Sequence, residues 1–424
     1  MHKLILSFSL VCCILLAYGQ QNKKPRVLIY GDDMLAFAAA MQSAKSNVPT
    51  LWLLSGTTVA PELNTSVFSI ANLPNLDGGI WMEVLMELAG SAQKRDSLAR
   101  EVKQHLDPVA LRKAMHKLMD QQPNLQLLTD NRVQLLKRNK NTWTVTLSDK
   151  QKFTIWSILD ASPAQELHQY IGSPSMLAKP AGLVPIAELQ LGQLKSLLAA
   201  GQSGDLLYGL TMGNMIYLEK YNMLNLHGVA QLLDDNPSTI PLKAHIGQAM
   251  GAIVAYLAFF KTDAVKLDIR KVQTELLSYG ARIVPYQDVM IEDPNFTAIQ
   301  KIGLTNLFKA AGDKQSWLFK PDSSVSFAEV KPIFNQYYTR SQLWFMDNQG
   351  EFFNWKSFFS LIKFVGLRGE EIEKQIQQNW SSKLKFAGVY NEEQQVTRYQ
   401  FATILELYAS PYVRAINHEG QPIY

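Results

Sequence analysis

The segment Arg26-Val27-Leu28-Ile29-Tyr30-Gly31-Asp32-Asp33-Met34-Leu35-Ala36 places two carboxylates at a turn laid out to hold phosphate. A short β-branched run ends at Gly31, a tight turn follows, and an Ala-rich helix begins at once. This is the order of a dinucleotide-binding strand-turn-helix, in which G-x-G-x-x-G/A lets the backbone approach a pyrophosphate on the helix N-terminus. Gly31 and Ala36 fill the first and third small positions, but Asp33 stands at the second with Asp32 beside it. A helix N-terminus stabilises an anion by roughly 0.3–1 kcal/mol, and by about 2 when partly buried. A carboxylate about 5 Å from a phosphate charge costs about 3 kcal/mol at an effective dielectric of about 20. Two acids here therefore outweigh the dipole. Read as an N-cap instead, an Asp accepts an N2 or N3 amide and contributes roughly 1 kcal/mol to the helix. The two readings combine in one expectation: the chain supplies its own anion where a cofactor's phosphates would bind.

Other catalytic chemistry is sparse. Of seven histidines, His2 lies in the first 19 residues, and the rest (His105, His116, His168, His227, His245, His418) show no metal-ligand spacing and no H-E-x-x-H. No metal site is expected. Gly201-Gln202-Ser203-Gly204 is one residue short of the G-x-S-x-G nucleophile elbow. His245, just ahead of Ile246-Gly247, is the one histidine to test as an acid–base group, with a buried or capping role as the other reading.

The elements that must position the turn follow a βαβ plan. A strand over 27–30, a helix over 34–46 and a strand over 50–54 have the spacing of a parallel sheet. A loop rich in Thr, Pro and Asn closes on Asp77-Gly78-Gly79, and 81–89 is apolar on a helical period. Residues 96–121 form one long amphipathic pattern, and a β-meander is expected from runs at 125–128, 132–137, 142–147 and 153–159. Helices are expected over 244–261 and 268–279.

Residues 1–19 read as a secretory signal peptide, with Lys3, an apolar stretch over 4–16 and a small-x-small site at Ala17-Tyr18-Gly19. Both cysteines, Cys12 and Cys13, lie inside it, which leaves no thiol for disulfides, thiolate catalysis or iron–sulfur ligation. The expected location is periplasmic, envelope-associated or extracellular. Taking Lys3 from the 41 basic residues leaves 40 against 37 acidic ones, a formal charge of +3 that makes no electrostatic case for nucleic acid. The longest later apolar run, over 249–260, is short of the about 20 residues a membrane span needs, so no transmembrane segment is expected.

Over residues 25–290 the chain resembles the FAD-dependent oxidoreductases of the glutathione-reductase-like class, in the exported bacterial branch often labelled FAD-dependent or xanthan-lyase-like. The resemblance rests on Gly31 and Ala36, on Gly78-Gly79, and on Asp107-Pro108 with Ala110-Leu111-Arg112 leading into Asn131-Arg132-Val133. It rests also on Ile155 to Asp160-Ala161, and on Ile246-Gly247-Gln248-Ala249-Met250-Gly251-Ala252 followed by Asp268-Ile269-Arg270-Lys271-Val272-Gln273. It implies an α/β fold, a Rossmann-like FAD domain with a β-meander and a short insertion over about 168–243. It further implies that Gly31 and Ala36 face the pyrophosphate and that Val133 presents backbone to the adenine. Gly78 and Gly79 would line the flavin side, and Gly247, Gln248 and Gly251 would start a helix aimed at the cofactor. The departures fall on the same ligand. Asp33 replaces a glycine, and Ser55 or Leu54 stands where an acid grips the ribose. The turn after Asp160 reads Asp160-Ala161-Ser162-Pro163, where Pro163 removes a backbone donor.

Residues 294–424 read as a mostly α-helical module. Phe319-Lys320-Pro321-Asp322 with Val325-Ser326, and later Val396-Thr397-Arg398, resemble the helix starts of S-layer homology units. Ser326 has Glu329 three residues on, a capping box. The resemblance implies fastening to an envelope polymer or protein; the plainer reading is a module that docks on the first domain. Taken together, the expectation is an exported, non-catalytic or weakly FAD-binding scaffold. The alternative is an active FAD oxidoreductase acting on a carbohydrate-related or other small substrate.

Overall fold

Val27, Leu28, Ile29 and Tyr30 are all buried, the pattern of a strand covered on both faces. The computed structural model describes residues 24–63, 66–170, 182–213, 222–225, 229, 233 and 236–423. Residues 1–19, expected to be a signal peptide, His227 and parts of the 168–243 insertion lie outside the described residues.

The strand β1 (Val27–Tyr30) leads through the Gly31 turn to α1 (Met34–Lys45) and β2 (Thr50–Leu53). Then come α2 (Gly79–Ala89), α3 (Asp96–Val102), α4 (Pro108–Asp120) and β3 (Leu125–Leu128). A meander follows, β4 (Val133–Asn139), β5 (Thr142–Leu147) and β6 (Lys152–Ile155), and then β7 (Ser157–Asp160). The insertion contributes β8 (Val184–Pro185), α5 (Leu191–Lys195), β9 (Leu197–Ser203) and β10 (Leu206–Thr211), before β11 (Met223–Asn225). The long helix α6 (Ile240–Phe260) and α7 (Ile269–Ser278) close this part of the chain.

Five strands form one sheet in the order β11-β7-β1-β2-β3, with every pair parallel. Side chains alternate across it. Val27 and Ile29 join the core beneath α1 and α6, whereas Leu28 and Tyr30 join Leu136, Trp143 and Val145 of the meander on the other face. The fold is thus α/β: helices on one face of a parallel sheet and an antiparallel β4-β5-β6 layer on the other. β8, β10 and β9 form a further small antiparallel sheet.

Several boundaries differ from the sequence reading. The 96–121 pattern is two helices, divided where Asp107 caps α4 and Pro108 opens it. The 125–128 run belongs to the parallel sheet, and the 153–159 run is two strands, β6 and β7, in different sheets. α6 begins at Ile240, four residues before the expected start. By length and composition alone α6 could cross a membrane, but 89% of that stretch is buried inside the protein. A helix apolar on all sides is what a core position requires.

The C-terminal module contains α8 (Phe296–Gly303), α9 (Phe327–Tyr337), α10 (Ser341–Asp347), α11 (Trp355–Gly366), α12 (Glu371–Asn379) and α13 (Arg398–Tyr408). Three of these helices start side by side. Ser326, Asn354 and Thr397 are N-caps whose side chains accept the amides of Glu329, Ser357 and Gln400. The residues before them close a ring of three backbone hydrogen bonds. Val325 donates to Val396 (3.0 Å), Val396 to Phe353 (2.8 Å), and Phe353 to Val325 (2.9 Å). The Asn354 start was not anticipated, and the aromatics gathered beneath the ring, Phe353, Phe358 and Phe401 among them, are buried core. That core is continuous with the α/β core, so the module docks on the first part of the chain.

Candidate functional site

The tip of α1 is closed by the chain itself. Asp33 Oδ1 accepts the Ala36 amide at 2.9 Å, and the Leu35 amide also points at this carboxylate. Glu62, from the loop after β2, brings Oε1 to 2.7 Å from the Met34 amide. The first three free N–H groups of the helix, which would otherwise meet an anionic ligand, are thus taken by carboxylates. Lys243, buried on α6, faces both acids and favours their charged forms. Burial is nevertheless the largest influence on each. It raises Asp33, and it pushes Glu62 up to about 7, helped by the Asp33 charge and opposed by Lys243 and the Met34 amide. Glu62 Oε2 is buried without a hydrogen-bond partner.

Asp32 plays a different part. Its backbone carbonyl accepts the Ala60 amide at 2.6 Å, tying the turn to the loop that carries Glu62. Its carboxylate lies against Gly56, where an added Cβ would sit 2.8 Å from Oδ2. Half-buried Ser55 is the neighbouring residue at the end of β2. The position expected to hold a ribose-gripping acid therefore carries none of its own, and the Asp32 carboxylate lies against Gly56, the residue after Ser55. Gly31, with φ +138°, packs against Ala161, whose carbonyl carbon would be 3.0 Å from an added Cβ. Ala36 is fully buried and spends its amide on Asp33.

The Gly78-Gly79 turn is filled in the same way. The Gly79 amide donates to the Gly280 carbonyl at 2.8 Å, and the Ile80 amide to Gln248 Oε1 at 3.2 Å. Gln248 Nε2 in turn donates to Gln42 Oε1 at 2.8 Å. A Cβ at position 79 would lie 1.8 Å from Gln248 Oε1, and φ there is +51°, so only glycine fits.

Gly247, Gln248 and Gly251 do not start a helix aimed at a ligand. They lie in the middle of α6, where Gly247 and Gly251 let it approach the backbone of α1: added Cβ atoms would be 2.1 Å from the Leu35 carbonyl oxygen and 2.3 Å from that of Ala39. Asp160 is fully buried, and its Oδ1 accepts the Ser162 amide (3.1 Å) and hydroxyl (2.6 Å). Its Oδ2 accepts the Leu167 amide at 2.9 Å, so it organises its own turn. The Val133 carbonyl accepts the Tyr170 hydroxyl at 2.7 Å rather than standing open to a base.

His245 is buried, with Nδ1 donating to the Ala200 carbonyl at 2.9 Å and Nε2 without a partner. Burial lowers its pKa, which keeps the ring neutral. It stands beside the buried Asp77–Lys103 pair (2.6 Å). No group of three His, Cys, Asp or Glu arranged to hold a metal occurs among the described residues.

Glu62 and Lys243 were missed in the sequence. Glu62 lies in a single 3-10 turn, Pro61–Leu63, too short for a period to mark it. Lys243 did leave a signal, as the only Lys, Arg, Asp or Glu between Ile240 and Phe260.

No family model matches the sequence, and no curated protein is similar to it. Among solved structures, p-nitrophenol 4-monooxygenase PnpA from Pseudomonas putida DLL-E4 is similar over 35% of this chain and 44% of its own, at 13% identity and a TM-score of 0.25. Thioredoxin reductase from Lactococcus lactis is similar over 33% of this chain and 35% of its own, at 19% identity and a TM-score of 0.22. OTEMO in an FAD-bound form is similar over 33% of this chain and 26% of its own, at 14% identity and a TM-score of 0.22. The chain thus spans less than half the length of each of these proteins.

The residues present do not fit FAD. The helix tip that would meet diphosphate holds two acids, the glycine turn holds Gln248 and the Gly280 carbonyl, and the Val133 carbonyl is occupied.

Proposed function

We propose that this chain is a non-catalytic relative of the FAD-dependent oxidoreductases, exported and kept as a scaffold or binding protein of the cell envelope. The observation that carries the reading is Glu62 on the Met34 amide together with Asp33 on the Ala36 amide. A diphosphate would have to displace both carboxylates, and any that stayed charged within about 5 Å would repel it by about 3 kcal/mol. Export rests on the residue pattern of positions 1–19. The helical module, with its three adjoining capped starts, is proposed as the part that meets an envelope polymer or protein. A second reading, weak FAD binding with residual oxidoreductase activity, draws on the strand order β3-β2-β1-β7 around the Gly31 turn.

Flavin loading separates the two. The scaffold reading expects a colourless purified protein whose melting temperature is unmoved by excess FAD. A ligand at 100 times its Kd would add about 2.7 kcal/mol of stability. Changing Asp32→Gly and Asp33→Gly leaves Glu62 on the Met34 amide and is expected to gain no ADP affinity, whereas adding Glu62→Gln gains it. A yellow preparation with one flavin per chain overturns the reading.

A further inference from the structure

A cavity of about 390 Å³ lies between the β4-β5 hairpin and the chain that follows α6, and its size is within the range of small-molecule sites. It sits at the N-terminal edge of the parallel sheet, where Trp156 immediately precedes β7 and Asn222 immediately precedes β11. The Gly31 turn is at the opposite edge, so the two places do not compete for a ligand.

One wall is indole. Trp143 of β5 and half-buried Trp156 both line the cavity. Trp156 is held rigidly, its backbone amide donating to the Arg26 carbonyl at 2.7 Å and its indole N–H to the Thr262 carbonyl at 3.3 Å. Beside it stands Asn222, only 7% exposed. Its Nδ2 donates to the same Thr262 carbonyl at 3.1 Å, but its Oδ1 has no hydrogen-bond partner. Buried amide oxygens are ordinarily paired, so this acceptor is left over for an O–H or N–H donor.

The rim is unbalanced in charge. Arg138, Lys261 and Lys266 line the cavity against a single acid, Asp263. That acid caps its own turn by accepting the Lys266 amide at 3.2 Å, and it lies 3.9 Å from Lys266 Nζ. Lys261 is exposed at the end of α6 and makes no ion pair among the described residues. The C-terminus of α6 contributes about half a negative charge, less than the excess of two cations. The surrounding sequence has the same bias. Residues 131–159 carry Arg132, Lys137, Arg138, Lys140, Lys150 and Lys152 against Asp149 alone, although the chain after residue 19 sums to only +3. A cleft inside such a tract concentrates anions.

We propose that this cavity binds a sugar unit bearing one anionic group, a uronate or a sugar phosphate. The C–H face of the ring lies on Trp156, a hydroxyl donates to Asn222 Oδ1, and the anion meets Lys261 and Lys266. Other small ligands leave part of the wall unanswered. A bare anion uses neither the indole nor the Asn222 acceptor, a neutral sugar leaves the cations unpaired, and an aromatic acid brings no hydroxyl to Asn222. The indole supplies a flat apolar area, while the charge-assisted contacts select the anion. The site is independent of whether the α1 tip takes a nucleotide.

The test is calorimetry on the purified full chain with glucuronate, glucose 6-phosphate, glucose and inorganic phosphate. One-to-one saturable binding of glucuronate or glucose 6-phosphate is expected, about tenfold or more tighter than glucose or inorganic phosphate. The tighter of the two identifies the anionic group. Lys261→Asn combined with Lys266→Gln changes two exposed side chains, and asparagine tolerates the φ of +51° at position 261. The double variant is expected to weaken the preferred ligand about tenfold. No saturable binding at millimolar probe, glucose or inorganic phosphate bound as tightly as both anionic sugars, or indifference to the double variant overturns the proposal.

Discussion

Glu62→Gln isolates the charge held at the α1 tip. In the folded chain the Glu62 carboxyl is pushed up to about 7 from its ordinary 4.5, chiefly by burial and then by Asp33. The folded state therefore keeps a proton that the unfolded state releases, so stability falls as pH rises from about 4.5 to about 7 and levels off above. At 1.36 kcal/mol per pH unit that displacement amounts to about 3 kcal/mol. Asp33 is displaced in the same direction, so its contribution has the same sign. Glutamine retains a carbonyl oxygen for the Met34 amide, now 2.7 Å from Glu62 Oε1. It forfeits the charge assistance of that bond, worth about 1 kcal/mol. The expected net effect is a gain of about 1–2 kcal/mol near pH 8 and none near pH 4, read by urea unfolding across that range. A variant that loses stability equally at every pH, or a wild type that gains stability from about pH 5 to 8, would refute the account.

Two further predictions concern the surrounding framework. Gly247→Ala would favour an isolated helix by about 1 kcal/mol, but here its Cβ would lie 2.1 Å from the Leu35 carbonyl oxygen. Forcing α1 and α6 apart costs more than that gain, so a net loss of about 2 kcal/mol or more is expected in urea unfolding, and a stabilised variant would contradict the packing role. Lys103→Met strands Asp77, whose side chain is 1% exposed and which also accepts the Trp81 indole N–H at 2.8 Å. A loss of about 3–5 kcal/mol is expected, largely recovered by adding Asp77→Asn, whereas simple additivity of the two changes would exclude a buried ion pair.

Those glycines also show which features were legible in the sequence. The β1-turn-α1 unit could be read because strand and helix periods meet at a glycine, and local rules decide such segments. The meander hairpins were legible for the same reason, with turns at Lys140 and Lys150 both at positive φ. What could not be read depends on tertiary contact. Gly247 and Gly251 have the spacing of either a ligand-facing or a packing surface, and only the position of α1 distinguishes them. Asn354 was passed over because the cap stands in a polar-aromatic stretch, and its kinship with Ser326 and Thr397 is a matter of backbone pairing.

The self-supplied anion was anticipated from Asp33, but its second half came from Glu62, 28 residues beyond Met34. That difference has a physical consequence. An N-cap aspartate alone is an ordinary helix device and satisfies one or two amides. A glutamate with a strongly raised pKa, one buried oxygen unpartnered and a buried lysine facing it is not explained by helix stability, because it costs more than a neutral cap would. Groups displaced this far by burial concentrate where a protein needs them for something other than folding. On the scaffold reading proposed above, that role would be occupancy: the loop carrying Glu62 is tied to the turn through the Asp32 carbonyl and Ala60 amide, so carboxylate and turn form one unit. Gln248 and the Gly280 carbonyl close the second turn independently. Loss of any one acid therefore leaves the remaining groups in place, and no single substitution is expected to open this turn to a dinucleotide.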